Sequence, residues 1–193
     1  MPDIQRAKIL IMATDGFEQS ELMVPLQKLR EAGATVQVAA PKSRMKPGEI
    51  RGWDEKDWGQ SVPVDKDLES VDPAAYDALV LPGGQINPDK LRVEAKAIEI
   101  VRTFTSSGKV VAAICHAPWL LVEAGVIEGK RCTSYHSIRT DVTNAGGRWS
   151  DEPVVTDRGM ITSRNPGDLD AFVGKIIEEV REGNHSGRRE AAE

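Results

Sequence analysis

Cys115 and His116 stand side by side in the stretch VVAAICHAPWLL, where an apolar run of β-branched and small residues gives way to helical spacing. A thiol followed by an imidazole is a pairing used in nucleophilic catalysis, with the thiolate attacking and a base carrying its proton. A buried parallel strand reads as a continuous apolar run, and a helix that begins directly after it forces a sharp turn at the junction. The positions two residues either side of that turn tolerate little bulk, and here they are Ala113 and Ala117. This is the steric logic of the G-x-S-x-G elbow, with alanine for glycine and Cys115 for serine. A helix N-terminus also favours the thiolate, which is both the nucleophilic and the oxidation-prone form. A second stretch, Gly83-Gly84 at the end of another apolar run, lets the backbone turn tightly and expose its N–H groups. The amides of Gly84 and His116 together can then hold an oxyanion.

The flanking elements must place these groups at one edge. Residues 8–13 read as a strand and 35–40 as a second. Between them Asp15 and Glu18 have capping-box spacing, and Leu22, Pro25, Leu26 and Leu29 recur on one helical face before Gly33. That βαβ unit makes the strands parallel. Periodicity fails over 41–67, a glycine- and proline-punctuated segment read as a loop with a β-hairpin, whose Trp53 and Trp58 suit an interface anchor better than a lid. Residues 76–82 form the next strand. Asn87 then caps a helix with Pro88 at its first position and Asp89 on the positive end of its dipole, running to about residue 107. The elbow strand spans 109–114 and its helix 116–124, followed by a short strand at 131–135 and a helix at 137–145. Residues 153–156 and 160–163 flank Asp157-Arg158-Gly159 as an antiparallel hairpin. A final amphipathic helix buries Leu169, Phe172, Val173, Ile176, Ile177 and Val180. Alternation of this kind gives a three-layer α/β sandwich around a mostly parallel sheet. Ligands in such sheets sit at the carboxyl ends of strands, and Glu18, Gly83-Gly84 and Cys115-His116 each lie just beyond one.

At 193 residues, with 40% hydrophobic and 28% charged residues, the chain reads as one domain over 1–183 with a polar, disordered tail over 184–193. A formal net charge of −5 argues against a nucleic-acid partner, and no apolar run reaches bilayer length, so a cytoplasmic protein without a membrane partner is expected. Two cysteines are too few for a disulfide framework. Cys132, outside any elbow, reads as structural. The three histidines and two cysteines show no paired ligand spacing, so neither a metal nor a cofactor is expected.

GFEQSEL, LPGG, NPDKLR and above all SSGKVVAAICHAP resemble the PfpI type of intracellular cysteine peptidase and deglycase. That family lies in the superfamily of the parkinsonism-associated deglycase and the class I glutamine amidotransferases, and the resemblance runs from about residue 7 to 180. It implies a flavodoxin-like fold and a stress-associated cysteine hydrolase acting on a small carbonyl or peptide substrate, by amide hydrolysis, protein deglycation or glyoxal hydration. Carried over by position, it makes Cys115 the nucleophile and His116 its partner. Glu18 becomes the carboxyl touching the thiol, and Asp89 the acid reaching a histidine across a subunit interface, so a homodimer or hexamer with the site near that interface is implied. The chain departs from the pattern at Ala117, where the family often has glycine, at Asp89, commonly glutamate, and in a longer segment around residues 53–58. The alternative is a non-catalytic redox sensor or stress-protective protein built on an oxidisable Cys115. A glutamine amidotransferase needs a late histidine with an acid two residues on; His136 and His185 are instead followed by Ile138 and Gly187.

Overall fold

The computed structural model describes residues 3–185. Its centre is a seven-stranded sheet whose middle strands are apolar on both faces. The elements, in chain order, are β1 (Lys8–Met12), β2 (Phe17–Glu18), α1 (Gln19–Glu31), β3 (Thr35–Ala40), β4 (Glu49–Asp54), β5 (Asp57–Pro63), β6 (Lys66–Asp67), β7 (Ala78–Leu81), α2 (Ile86–Leu91) and α3 (Ala95–Ser106). They continue with β8 (Val110–Ile114), α4 (Pro118–Ala124), β9 (Arg131–Cys132), α5 (Arg139–Asn144), β10 (Arg148–Trp149), β11 (Val154–Asp157), β12 (Met160–Ser163) and α6 (Leu169–Glu182). The sheet order is β11-β12-β8-β7-β1-β3-β6, every pairing parallel except β11 with β12.

Period-two alternation along each strand sends side chains to opposite faces and so builds two cores. Ile9 and Ile11 of β1 join Leu22 and Leu29 of α1 and Phe172, Val173 and Ile176 of α6. Leu10 and Met12, from the same strand, join Val101 and Phe104 of α3 and Leu120 and Leu121 of α4. The expected three-layer α/β sandwich with a mostly parallel sheet is what forms. The β11–β12 turn places both Arg158 and Gly159 at positive φ, 50° and 81°, matching the right-handed strand twist of a two-residue hairpin.

Local expectations fail where a tertiary bond outcompetes a local one. The helix expected over 87–107 is two, α2 and α3, separated around the exposed Val93. Asn87 does not cap: it is buried inside α2, donates to the carbonyls of Pro82 and Gly83, and accepts from the Thr14 amide at 2.7 Å. Asp15 forms no capping box either. Its carboxylate accepts the amides of Met45 and Arg51, tying the loop and β4 to the end of β1. β4 and β5 are the expected hairpin, joined by β2 into a small second sheet. The strand expected at 131–135 is only two residues long and pairs with β10, and the helix over 137–145 opens as a 3-10 turn at His136–Ile138. Of the polar stretch expected as a tail from 184 onward, Asn184 and His185 are tied down: Asn184 donates to Ser107 O and the His185 amide to Gly108 O. The remainder, 186–193, lies outside the described residues. Among the described residues no helix is long and apolar enough to cross a membrane.

Candidate active site

Cys115 takes φ +64°, a left-handed conformation that costs a non-glycine residue about 1–2 kcal/mol. Three backbone bonds hold it there: its amide donates to Ser163 O, its carbonyl accepts from Tyr135 N at 2.8 Å, and Ala117 N closes the turn onto Ile114 O. Pro118, at the first position of α4, starts the helix without needing a donor. Ala113 and Ala117 are fully buried, as the elbow requires. Because Cys115 stands before the helix and in a different backbone basin, the rule that adjacent helical side chains diverge does not apply to it. The His116 ring comes back over the thiol, with Nδ1 3.1 Å from Sγ.

The far nitrogen of His116, Nε2, lies 3.1 Å from Ser137 Oγ, and the ring stacks on Tyr135 at 4.8 Å. Burial, reinforced by nearby His136, holds its pKa below the ordinary imidazole value, so the neutral ring predominates at neutral pH. With Nε2–H donated to Ser137, Nδ1 is left as an acceptor facing the thiol. The amides of Gly84 and His116 act on the Cys115 sulfur to favour its charged form. Gly84 reaches this position at φ +83°, where any Cβ would collide with the backbone of Glu18 and Gly16.

The carboxyl at the thiol is Glu21, not Glu18. α1 begins at Gln19, so Glu18 lies outside it, at the end of β2 opposite Trp53, and stands half-exposed in the mouth of the cleft. One turn further, Glu21 shares an inward face with Pro25 and Leu29 at four-residue spacing and is fully buried. That spacing was visible in the sequence, and it marks Glu21 as the carboxylate on a core-facing stripe. Its Oε2 accepts the Gly83 amide at 2.9 Å, while Oε1 meets no hydrogen-bond geometry among the described residues. Burial first, then the charge of Glu18, pushes the Glu21 pKa up to about 8, against lowering by Cys115 and Gly83. Burial, then an ionised Glu21, raises the Cys115 thiol well above its usual range. A protonated Glu21 removes that repulsion and leaves an O–H available to the sulfur. Glu18 itself is raised by partial burial and by Asp54.

Asp89 is exposed on α2, and within one chain His116 meets a hydroxyl rather than a carboxylate. The cleft above Cys115 has a volume of about 440 Å³, and Trp53, Glu55, Gln85, Ile86 and Tyr135 form its walls. Trp53 packs edge-on against Trp58 at 5.6 Å and faces this cleft as a wall residue. Clefts of 470 and 660 Å³ elsewhere contain neither cysteine. Asn87, missed as a site residue, fixes the Gly83-Gly84 turn through its two carbonyl bonds.

Glu21 makes stability depend on pH. An ordinary carboxyl loses its proton near 4.5, and Glu21 keeps its own to about 8, so the fold binds this proton more tightly than the unfolded chain does. Stability fully present below the lower value is therefore lost progressively as pH rises to the upper one. Urea unfolding should find the wild type losing on the order of a few kcal/mol more than Glu21→Gln between acidic and mildly alkaline pH. Equal slopes would show that Glu21 ionises normally.

A family model described as the DJ-1/PfpI family matches residues 7–179. Deglycase TK1284 of Thermococcus kodakarensis is 42% identical over 174 residues, covering 90% of this chain and 99% of its own. Putative cysteine protease YraA of Bacillus subtilis is 39% identical over 165 residues, 86% of this chain and 93% of its own. A solved two-domain protein of Anabaena variabilis, containing DJ-1/ThiJ/PfpI-like and ferritin-like domains, superposes with a TM-score of 0.84 at 33% identity. That match covers 94% of this chain, which spans about half, 49%, of the two-domain protein.

Proposed function

The chain belongs to the DJ-1/PfpI family, and from that membership we propose a stress-associated, cysteine-dependent hydrolase that acts on small carbonyl compounds and their adducts with amines. The observation that carries this reading is the surround of one sulfur: His116 Nδ1 at 3.1 Å, the amides of Gly84 and His116 that favour its charged form, and a buried carboxyl behind. In the first step the Cys115 proton passes to His116 Nδ1 and the sulfur attacks the carbonyl carbon, while the new oxyanion is held by the amides of Gly84 and His116. Protonated Glu21 supports the thiolate before attack. In an amine adduct of a dicarbonyl compound the amine sits on the carbinol carbon, where the sulfur displaces it; the departing amine takes the proton held by His116, and the same hemithioacetal remains. Moving the carbinol C–H proton to the neighbouring carbonyl carbon through an enediolate converts this to the thioester of a 2-hydroxy acid, which water cleaves to regenerate the thiol. The names of the relatives, a deglycase and a putative cysteine protease, agree with this class of bond.

The cleft supports the choice of substrate. A volume of about 440 Å³ walled by Trp53 and Tyr135, with Glu18 and Glu55 at its mouth, admits a small aldehyde or one modified side chain more readily than a folded polypeptide. Asp89 has the place of the acid that would meet His116 from a second subunit, which makes a homo-oligomer part of this proposal. Methylglyoxal conversion, amine release from a methylglyoxal-modified lysine derivative and cleavage of a fluorogenic peptide should be measured side by side. The expected order places the aldehyde and its adduct at least about tenfold above the peptide in kcat/KM, a transition-state difference of about 1.4 kcal/mol. Faster peptide cleavage would reverse the substrate assignment and leave the nucleophile in place.

A further inference from the structure

At the opposite end of β8 from Cys115, the chain brings three metal-ligating side chains together. Glu179 and Glu182 lie three residues apart on the last turn of α6, so they share a face. Gly183, at φ +89°, then turns the chain back, and the Asn184 and His185 bonds to Ser107 and Gly108 fix the return. This carries the His185 ring under the β11–β12 turn, where its side chain is only 1% exposed. Gly159 makes room for it, since a methyl there would sit 2.7 Å from His185 Cδ2.

Among the described residues neither ring nitrogen of this buried imidazole has a hydrogen-bond partner. A buried polar group left unsatisfied is destabilising, so a ligand for it is called for. The nearest acceptor, Glu179 Oε2, is 3.4 Å from Nε2, and one ligand atom from each of Glu179, Glu182 and His185 lies within 4.8 Å of the others. Two ligands of a tetrahedral zinc ion, each at about 2.0–2.1 Å, are separated by about 3.3 Å. The Glu179–His185 distance is thus long for a hydrogen bond and close to one edge of that tetrahedron. Glu182 is the exposed member, and its ligand atom lies within 4.8 Å of the other two.

We propose that Glu179, Glu182 and His185 form a divalent-metal site for Zn²⁺, with water as fourth ligand, that clasps the segment after Gly183 to the end of α6 beneath the β11–β12 turn. An imidazole and two carboxylates suit Zn²⁺ among the first-row ions, and the neutral ring is the ligating form. The spacing of histidines and cysteines alone shows no such site. The three-residue steps from Glu179 to Glu182 to His185 become a site only after the turn at Gly183.

The test uses the full chain carrying Cys115→Ser, so that the catalytic thiol takes no metal, stripped with chelator and titrated calorimetrically with ZnCl2 at mildly alkaline pH. One Zn²⁺ per chain and a higher Tm in its presence are expected. His185→Ala in that background should weaken binding at least 100-fold. Glu182→Gln, a change at an exposed position that keeps the side chain's size, should weaken it at least tenfold. No uptake by the parent, or undiminished affinity in either variant, overturns the proposal.

Discussion

Cys115→Ser is expected to lower kcat/KM for aldehyde, adduct and peptide alike by at least about 10³-fold, in line with losses seen when a catalytic nucleophile is removed. Serine fits the same small space and keeps the elbow backbone, whose bonds to Ser163, Ile114 and Tyr135 are all main-chain. Unfolding free energy should therefore stay within about 1 kcal/mol of wild type. The hydroxyl differs in chemistry: its proton is far less acidic than a thiol's, and His116, held neutral by burial, is a weak base for it. Full turnover by the serine variant on any of the three substrates would remove Cys115 from the mechanism. The same pair of proteins separates the hydrolase from a sensor. A sensor would show intact-mass gain of oxygen at Cys115 after mild peroxide, with wild-type turnover no higher than that of the serine variant. The hydroxyl partner of His116 inside one chain is the feature that keeps this comparison worth making.

Gly83→Ala should damage the site from behind. A methyl at this position would lie 2.5 Å from Glu21 Oε2, 2.7 Å from Cys115 Cβ and 2.7 Å from Ile114 O, distances that real contacts do not tolerate. Two of these neighbours are Glu21 and Cys115, so relief of the clash must move the groups on which the proposed chemistry rests. Overpacking of this kind costs about 1–3 kcal/mol, and displacement of a reacting group by about 1 Å lowers the rate on the order of 10²-fold. Gly174→Ala is the counterpart. A methyl there meets nothing within 4 Å in the middle of α6, so a gain of about 0.5–1 kcal/mol from helix propensity is expected, with unchanged kcat/KM. Urea unfolding and steady-state kinetics on the two variants read both effects. Equal behaviour would mean that the Gly83 turn yields freely and does not register Glu21 against Cys115.

The elements themselves were legible because each advertises its burial. VVAAI reads as a two-face-buried strand, the spacing from Leu169 to Val180 as a one-face-buried helix, and Asp157-Arg158-Gly159 as a hairpin turn. Cys115 was legible for a related reason: an elbow needs small neighbours, and Ala113 and Ala117 are local facts. Asp15 and Asn87 were misread as caps because a local hydrogen bond is the only one a sequence displays. In the fold their side chains instead satisfy distant amides and carbonyls, from Arg51 to Thr14.

The sequence by itself determined the layers, the strand polarity and the elbow that carries Cys115, since these follow from periodicity and from the turn that joins one strand to one helix. Only the tertiary structure decided which glutamate meets the thiol. Glu18 and Glu21 differ by three residues, and the start of α1 at Gln19 turns one toward the cleft mouth and the other into the core. It also decided that His116 faces Cys115, because a single positive φ reverses the direction an ordinary helical neighbour would take. And it joined His185 to Glu179 and Glu182, which a reversal at Gly183 brings together in space. In each case the deciding quantity is a direction set by a backbone angle or a packing partner, and residue order does not encode it locally.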